Sequence, residues 1–179
     1  MAKKLLTQYI LGGNEEQAIG ASGGTDFQIA QGFKIPIASG VSRVEIFVRK
    51  LVPAPTDPIT VKLETDNSAK PSGTLIDANA TTTIANALID TTLTFRPAVF
   101  AIEPRLVAAT QYWLVCSVPA QGENSRFGWQ ADNSSPTYAD GTMARSTDAG
   151  SSWAAVATHD CLFKVFGKDL GGIHGYFNV

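Results

Sequence analysis

The sequence predicts an all-β fold: an antiparallel two-sheet β-sandwich, jelly-roll-like, with an extended N-terminal arm and a short C-terminal tail. Three observations predict it. Apolar residues alternate at period two over many short runs, the pattern of half-buried strands. Clusters of Gly, Pro, Asn, Asp and Ser separate these runs. The octet Ser146-Thr147-Asp148-Ala149-Gly150-Ser151-Ser152-Trp153 suits a tight hairpin. Asp148 can accept backbone N–H groups of the turn, Gly150 can take a positive φ, and Trp153 starts the next strand and packs over the turn.

Residues 1–24 read as an arm, in which Leu5, Leu6, Tyr9, Ile10 and Leu11 precede a polar connector ending in Ala21-Ser22-Gly23-Gly24. The patterned body covers residues 25–168. Phe27, Ile29, Gln31, Phe33 and Ile35 alternate until Pro36 limits further pairing. Val44, Ile46 and Val48 share one face of the next run. Ile59, Val61 and Leu63 alternate with Thr60, Lys62 and Glu64, as in a strand with one solvated face. A turn cluster follows over 66–73, and Leu75 and Ile76 begin a weaker strand. Residues 80–90 fit either a short helix or a Thr-rich strand. Leu93 and Phe95 alternate again, and Val99 to Ile102 extend that strand past Pro97. Tyr112, Leu114, Cys116 and Val118 form one face of the strongest strand, with Trp113 and Val115 on the other. Phe127 and Trp129 mark another, Met143 leads into the hairpin, and Cys161, Phe163 and Val165 close the body. Residues 169–179 form the tail.

Composition narrows the classes of function. The chain has 179 residues, enough for one domain with a full core. Charged residues make up 17%, below the roughly 25% of an average soluble domain, which suits a surface partly covered by neighbours. The net charge is −2 and no basic patch stands out, so no nucleic-acid partner is expected. No run approaches the roughly 18 apolar residues of a membrane span. Lys3-Lys4-Leu5-Leu6 briefly mimics a signal peptide before Thr7, Gln8 and Tyr9 break it, so synthesis in the cytoplasm without export by that route is expected. The two cysteines, Cys116 and Cys161, lie in apolar strand patterns as buried thiols, and whether they pair stays open.

Catalytic chemistry finds little to work with. A nucleophile needs a base beside it. The two histidines, His159 and His174, lie in no motif, and no G-x-S-x-G elbow occurs. Asp66-Asn67, Asp132-Asn133-Ser134 and Asp140-Gly141-Thr142 offer hard oxygens. Turns use these residue types in any case, so no metal and no cofactor is expected. Sugar binding is the sharper alternative. Sugars stack on aromatic faces, and Trp129, Tyr138 and Trp153 neighbour polar loops, with Arg126, Gln130 and Asp132 close in sequence.

The octet resembles the Asp-box, S-x-D-x-G-x-[ST]-W, of sialidases and of many secreted or virion β-proteins. The resemblance implies a structural turn at Asp148, Gly150 and Trp153. Sialidases repeat that turn around a propeller, whereas one copy stands here. The series Val44-x-Ile46-x-Val48-x-Lys50, Ile59 to Asp66, Pro71-Ser72-Gly73-Thr74-Leu75, Tyr112-Trp113-Leu114-Val115, the octet, and Leu162 to Gly167 is similar to a β-sandwich module of tailed-phage virion proteins and bacterial surface proteins. The likeness covers residues 27–167 and leaves arm and tail outside.

The two ends carry the remaining signal. Burying Ile173, Tyr176, Phe177 and Val179 does not by itself offset the entropy of ordering a Gly-rich tail. Pairing with the sheet edge of another subunit would add what is missing, and the same argument applies to the arm. The expected function is that of a non-enzymatic virion protein, a capsid decoration or tail accessory protein. It would form a symmetric homo-oligomer, a trimer among the options, and bind other virion proteins. Leu5, Leu6, Tyr9, Ile10, Ile173, Tyr176 and Phe177 are the expected assembly contacts. The alternative is a carbohydrate-binding module contacting a surface glycan through Arg126, Trp129, Gln130, Asp132 and Tyr138.

Overall fold

A computed structural model describes residues 3–23, 25–51, 55–119 and 126–170 of the chain. It is an antiparallel, nearly all-β sandwich. In chain order the strands are β1 (Lys4–Tyr9), β2 (Glu15–Ser22), β3 (Thr25–Phe33), β4 (Ser39–Lys50), β5 (Ile59–Asp66), β6 (Pro71–Leu75), β7 (Thr81–Ile84), β8 (Thr94–Val99), β9 (Arg105–Leu106), β10 (Tyr112–Ser117), β11 (Arg126–Asp132), β12 (Met143–Ser146), β13 (Ala154–Val156), β14 (Asp160–Cys161) and β15 (Phe163–Asp169).

In the first layer β15 and β8 flank β4, because Val44 faces both Val165 and Ala98. β1 closes that layer beyond β15. Past Phe47, β4 exchanges β15 for β11, and β2 borders β11 on its other side. In the second layer β10 lies between β3 and β5. β12 and β13 extend it beyond β3, while β6 and β7 share the far edge of β5. β3 belongs to both layers: Thr25–Phe27 pairs with β2, and Gln28–Phe33 runs beside β12 and β10.

The alternation in the sequence explains the burial. Ile59, Val61 and Leu63 are fully buried and face the core, with Thr60 and Lys62 half-buried on the other face. Tyr112, Leu114 and Cys116 point the same way from β10. Phe33 of β3 meets Phe163 of β15 across the layers, ring centroids 6.0 Å apart. β10 is buried on both faces, since Trp113 and Val115 pack outward into a second cluster with Ala30, Ala144 and Trp153.

The boundary expected at residue 24 does not separate an arm from a body. Residues 4–9 form β1 on the chain's own β15, from Lys4 opposite Gly167 to Tyr9 opposite Phe163. Residues 15–22 form β2, and the boundary falls in the turn of the β2–β3 hairpin, where Ser22 faces Thr25. Leu6 and Tyr9, expected to contact other subunits, are buried in this chain's core, while Leu5 and Ile10 are 42% exposed. The reason is the backbone demand of β15: without β1 its outer N–H and C=O groups would have no partner. At the other end β15 runs through Asp169, so the tail does not begin there. Ile173, Tyr176 and Phe177 lie outside the described residues.

Smaller differences have local causes. The turn after β5 is shorter than the cluster 66–73, because Ser68 and Ala69 take φ of 55° and 61° and let the chain reverse by Lys70. The next strand therefore ends at Leu75 instead of starting there. Residues 80–90 hold both alternatives, β7 and one turn of 3-10 helix at Asn86–Leu88. The strand containing Pro97 stops at Val99.

Candidate functional site

The residues expected to hold a glycan do not form a site. β11 is paired on both sides, and its inward face carries Phe127 and Trp129, both fully buried. The Trp129 indole N–H donates to the Leu162 carbonyl at 2.9 Å, so no ring face is open to a sugar. Gln130 and Asp132 are 6% and 2% exposed. Asp132 accepts from the Tyr9 hydroxyl at 2.7 Å, from Ser134 N–H and Oγ–H at 2.9 and 2.8 Å, and from Ser135 N–H at 3.3 Å. These bonds, Tyr9's foremost, hold its carboxyl at about 2. Tyr138 is half-buried, edge-on to Phe163 at 5.3 Å, with its hydroxyl 2.9 Å from Thr7 Oγ1. Burial raises that phenol to about 12. Arg126 stands at the start of β11, half-buried. Neighbours in sequence here face the core instead of converging on a surface.

The octet builds a hydrogen-bonded turn. Ser146 Oγ donates to Asp148 Oδ1 at 2.7 Å and accepts from Gly150 N–H at 2.8 Å. Asp148 accepts from Ser152 Oγ–H at 2.6 Å and from Ser152 N–H at 2.9 Å. The Ser152 hydroxyl first, then its N–H, hold the Asp148 carboxyl at about 2. Gly150 has φ 86°, and a Cβ there would also meet the Gln28 side chain at 2.9 Å. The turn swings Trp153 over the outer face of the second layer, onto Ala30, Trp113, Val115 and Ala144.

Two clefts flank the segment after β5 on this face. One, of about 300 Å³, lies between that segment and the Asp148 turn and is lined by Asn67, Lys70, Ser72, Ser151, Ser152 and Trp153, among others. The other, of about 460 Å³, is lined by Lys34, Asp66, Gln111, Trp113, Asp140 and Thr142, among others. The Trp113 indole N–H donates to Asp66 Oδ1 at 2.7 Å and ties the segment to the sheet. A third cleft, of about 470 Å³, shares Lys34 and Asp140 with the second and reaches Leu6, Thr7 and Pro36.

The end of the sandwich where β15 finishes carries exposed apolar side chains. Ile37, Ile102, Val107 and Leu170 are 45%, 63%, 62% and 43% exposed. Their segments are held together. Leu170 N–H donates to Ala38 O, Val41 N–H to Pro104 O and Ala109 N–H to Ile35 O, while Ser39 and Gly40 pair with Leu106 and Arg105. β1 starts at the same end, its Lys4 Nζ 3.3 Å from Asp169.

Reactive groups elsewhere are committed to the fold. Cys116 and Cys161 are free and fully buried, and burial pushes both thiols up, away from the thiolate. His159 Nε2 lies 2.9 Å from Glu15 Oε2, and its Nδ1 lies 2.9 Å from Thr158 Oγ1. This hydroxyl–imidazole–carboxylate chain, invisible in sequence because Glu15 and His159 are so far apart, lines none of the three clefts. Among the described residues no group of three or more His, Cys, Asp or Glu is placed to hold a metal, and no helix is long and apolar enough to cross a membrane. Compared with known proteins, the chain matches no family model and no curated sequence.

Proposed function

We propose that this chain is a non-enzymatic structural subunit of a tailed-phage particle, a capsid decoration or tail accessory protein. It associates with copies of itself and with other virion proteins through the end of the sandwich where β1 starts and β15 finishes. The observation that carries this reading is the exposed group Ile37, Ile102, Val107 and Leu170 on that end. Apolar side chains gathered on held backbone mark contact surfaces. Two features add support. β15 is the only strand paired with β1 among the described residues, so the outer edge of β1 is open to strand addition by another chain. The sequence beyond Leu170, where β15 has just finished, continues with the apolar Ile173, Tyr176 and Phe177. The protein is made in the host cytoplasm and resides in the virion.

The test pairs mass in solution with particle binding. Wild-type protein sediments as an oligomer and co-sediments with particles that lack it. Replacing Ile37 and Val107 together by Asp gives a monomer that no longer binds, with an unchanged far-UV spectrum. A wild-type monomer without affinity for any particle overturns the reading.

A further inference from the structure

The cleft of about 300 Å³ beside the Asp148 turn shares no lining residue with that apolar end of the sandwich. One side of Trp153 packs on Ala30, Trp113, Val115 and Ala144, and the rest of it lines the cleft. The polar groups around it divide into two kinds. The carboxylates are committed. Asp66 accepts from the Trp113 indole and from Ala69 N–H, Glu64 from Gly73 N–H at 2.9 Å, and Asp148 from Ser146 and Ser152. By contrast, the side chains of Asn67, Lys70 and Ser151 make no hydrogen bond or ion pair within the described residues, and all three line the cleft.

A half-buried indole beside unspent donors is a surface for a pyranose ring. The C–H face of the sugar lies on the aromatic ring and its hydroxyls take up the polar groups. The volume stands at the small end of the roughly 300–1,000 Å³ of ligand pockets, room for a single ring. Three carboxylates close by, Glu64 and Asp66 of β5 and Asp148 of the turn, outnumber the one cation of the cleft, Lys70, and disfavour an acidic sugar through like-charge repulsion. We infer that this cleft binds one neutral hexose or N-acetylhexosamine unit of a polysaccharide, its ring against Trp153 and its hydroxyls on Asn67, Lys70 and Ser151.

The full chain is titrated with glucose, galactose, N-acetylglucosamine and glucuronate, followed by calorimetry and tryptophan fluorescence. At least one neutral sugar binds and perturbs the fluorescence, and glucuronate does not. Asn67→Ala and Lys70→Ala each weaken binding roughly tenfold, about one hydrogen bond to a well-placed donor, at unchanged melting temperature. Trp153→Phe keeps the packing and binds more weakly. Ile37→Asp with Val107→Asp, which breaks association, leaves sugar binding intact, so the two proposals fail separately. Absence of binding by every neutral sugar, equal binding in the Asn67 and Lys70 variants, or binding of glucuronate alone overturns the inference.

Discussion

Gln31 sits in the middle of an apolar alternation and is fully buried. Its Oε1 accepts the Cys161 N–H at 2.6 Å, and its Nε2 donates to Gly32 O at 3.1 Å and to Asp160 Oδ1 at 3.3 Å. One amide thus closes the backbone gap where β14 gives way to β15. Gln31→Leu keeps the volume but orphans the Cys161 N–H and leaves the buried Asp160 carboxylate only the Tyr138 N–H as donor, so a loss of about 2–3 kcal/mol is expected in urea unfolding. The carboxylates set the pH dependence. Asp132 and Asp148 titrate at about 2 in the fold, below the ordinary value of roughly 3.9. Their stabilisation is complete above the ordinary value and is lost as pH falls through about 2. Burial raises Asp26 and Asp160, so their contribution has the opposite sign: present below the ordinary value and lost as pH rises through their raised ones. The melting temperature should therefore peak between neutrality and pH ~4, then fall. Asp148→Asn should flatten the acid limb and Asp26→Asn the other, both readable by calorimetry across pH.

At the scale of elements, strands with a steady alternation and a local turn are legible, and pairings between distant segments are not. Ile59 to Glu64 and Tyr112 to Ser117 state their inward faces in sequence, and the Asp148 hairpin carries its own bonds within seven residues of chain, Ser146 to Ser152. β1 does not. Leu5 and Leu6 are adjacent, a bulge between Leu5 and Thr7 turns Leu6 inward, and the partner is β15 at the far end of the chain. A short apolar segment followed by Gly-rich chain therefore reads as an arm, although it is an edge strand. Trp129 misleads for the same reason. Gly128 beside it hides which face is covered, and only the pairing of β11 with β2 and β4 shows that the ring points to the core. Deleting residues 1–10 tests the edge-strand role. It removes the buried Leu6 and Tyr9 and bares β15, so a loss of about 3–6 kcal/mol and a tendency to aggregate are expected. An unchanged melting temperature would show that β1 adds nothing to the monomer. Loss of particle binding in this deletion would report unfolding, which is why the test of attachment changes Ile37 and Val107 instead.

For the whole molecule, the distribution of apolar groups decides how it comes apart. One cluster spans both inner faces, and β3 pairs in both layers, so neither sheet has a core of its own. A second, smaller cluster lies outside the second layer, and the two share β10, whose alternate residues Leu114 and Trp113 enter one and the other. This arrangement predicts one cooperative transition, with far-UV circular dichroism and tryptophan fluorescence coincident. Its folding should be slow, in the milliseconds-to-seconds range of sandwiches dominated by non-local pairing. The Asp148 hairpin offers the sharpest check. It hangs on β3 by one strand and on the outer cluster by Trp153. Trp153→Ala uncovers Trp113 and should cost about 2–3 kcal/mol, less than a fully buried tryptophan because Trp153 is only half-buried. If the outer cluster belongs to the same cooperative unit, the whole transition moves down together. An early separate transition, seen in tryptophan fluorescence while the far-UV signal holds, would show instead that the hairpin unfolds as a unit of its own and that β10 does not couple the two faces.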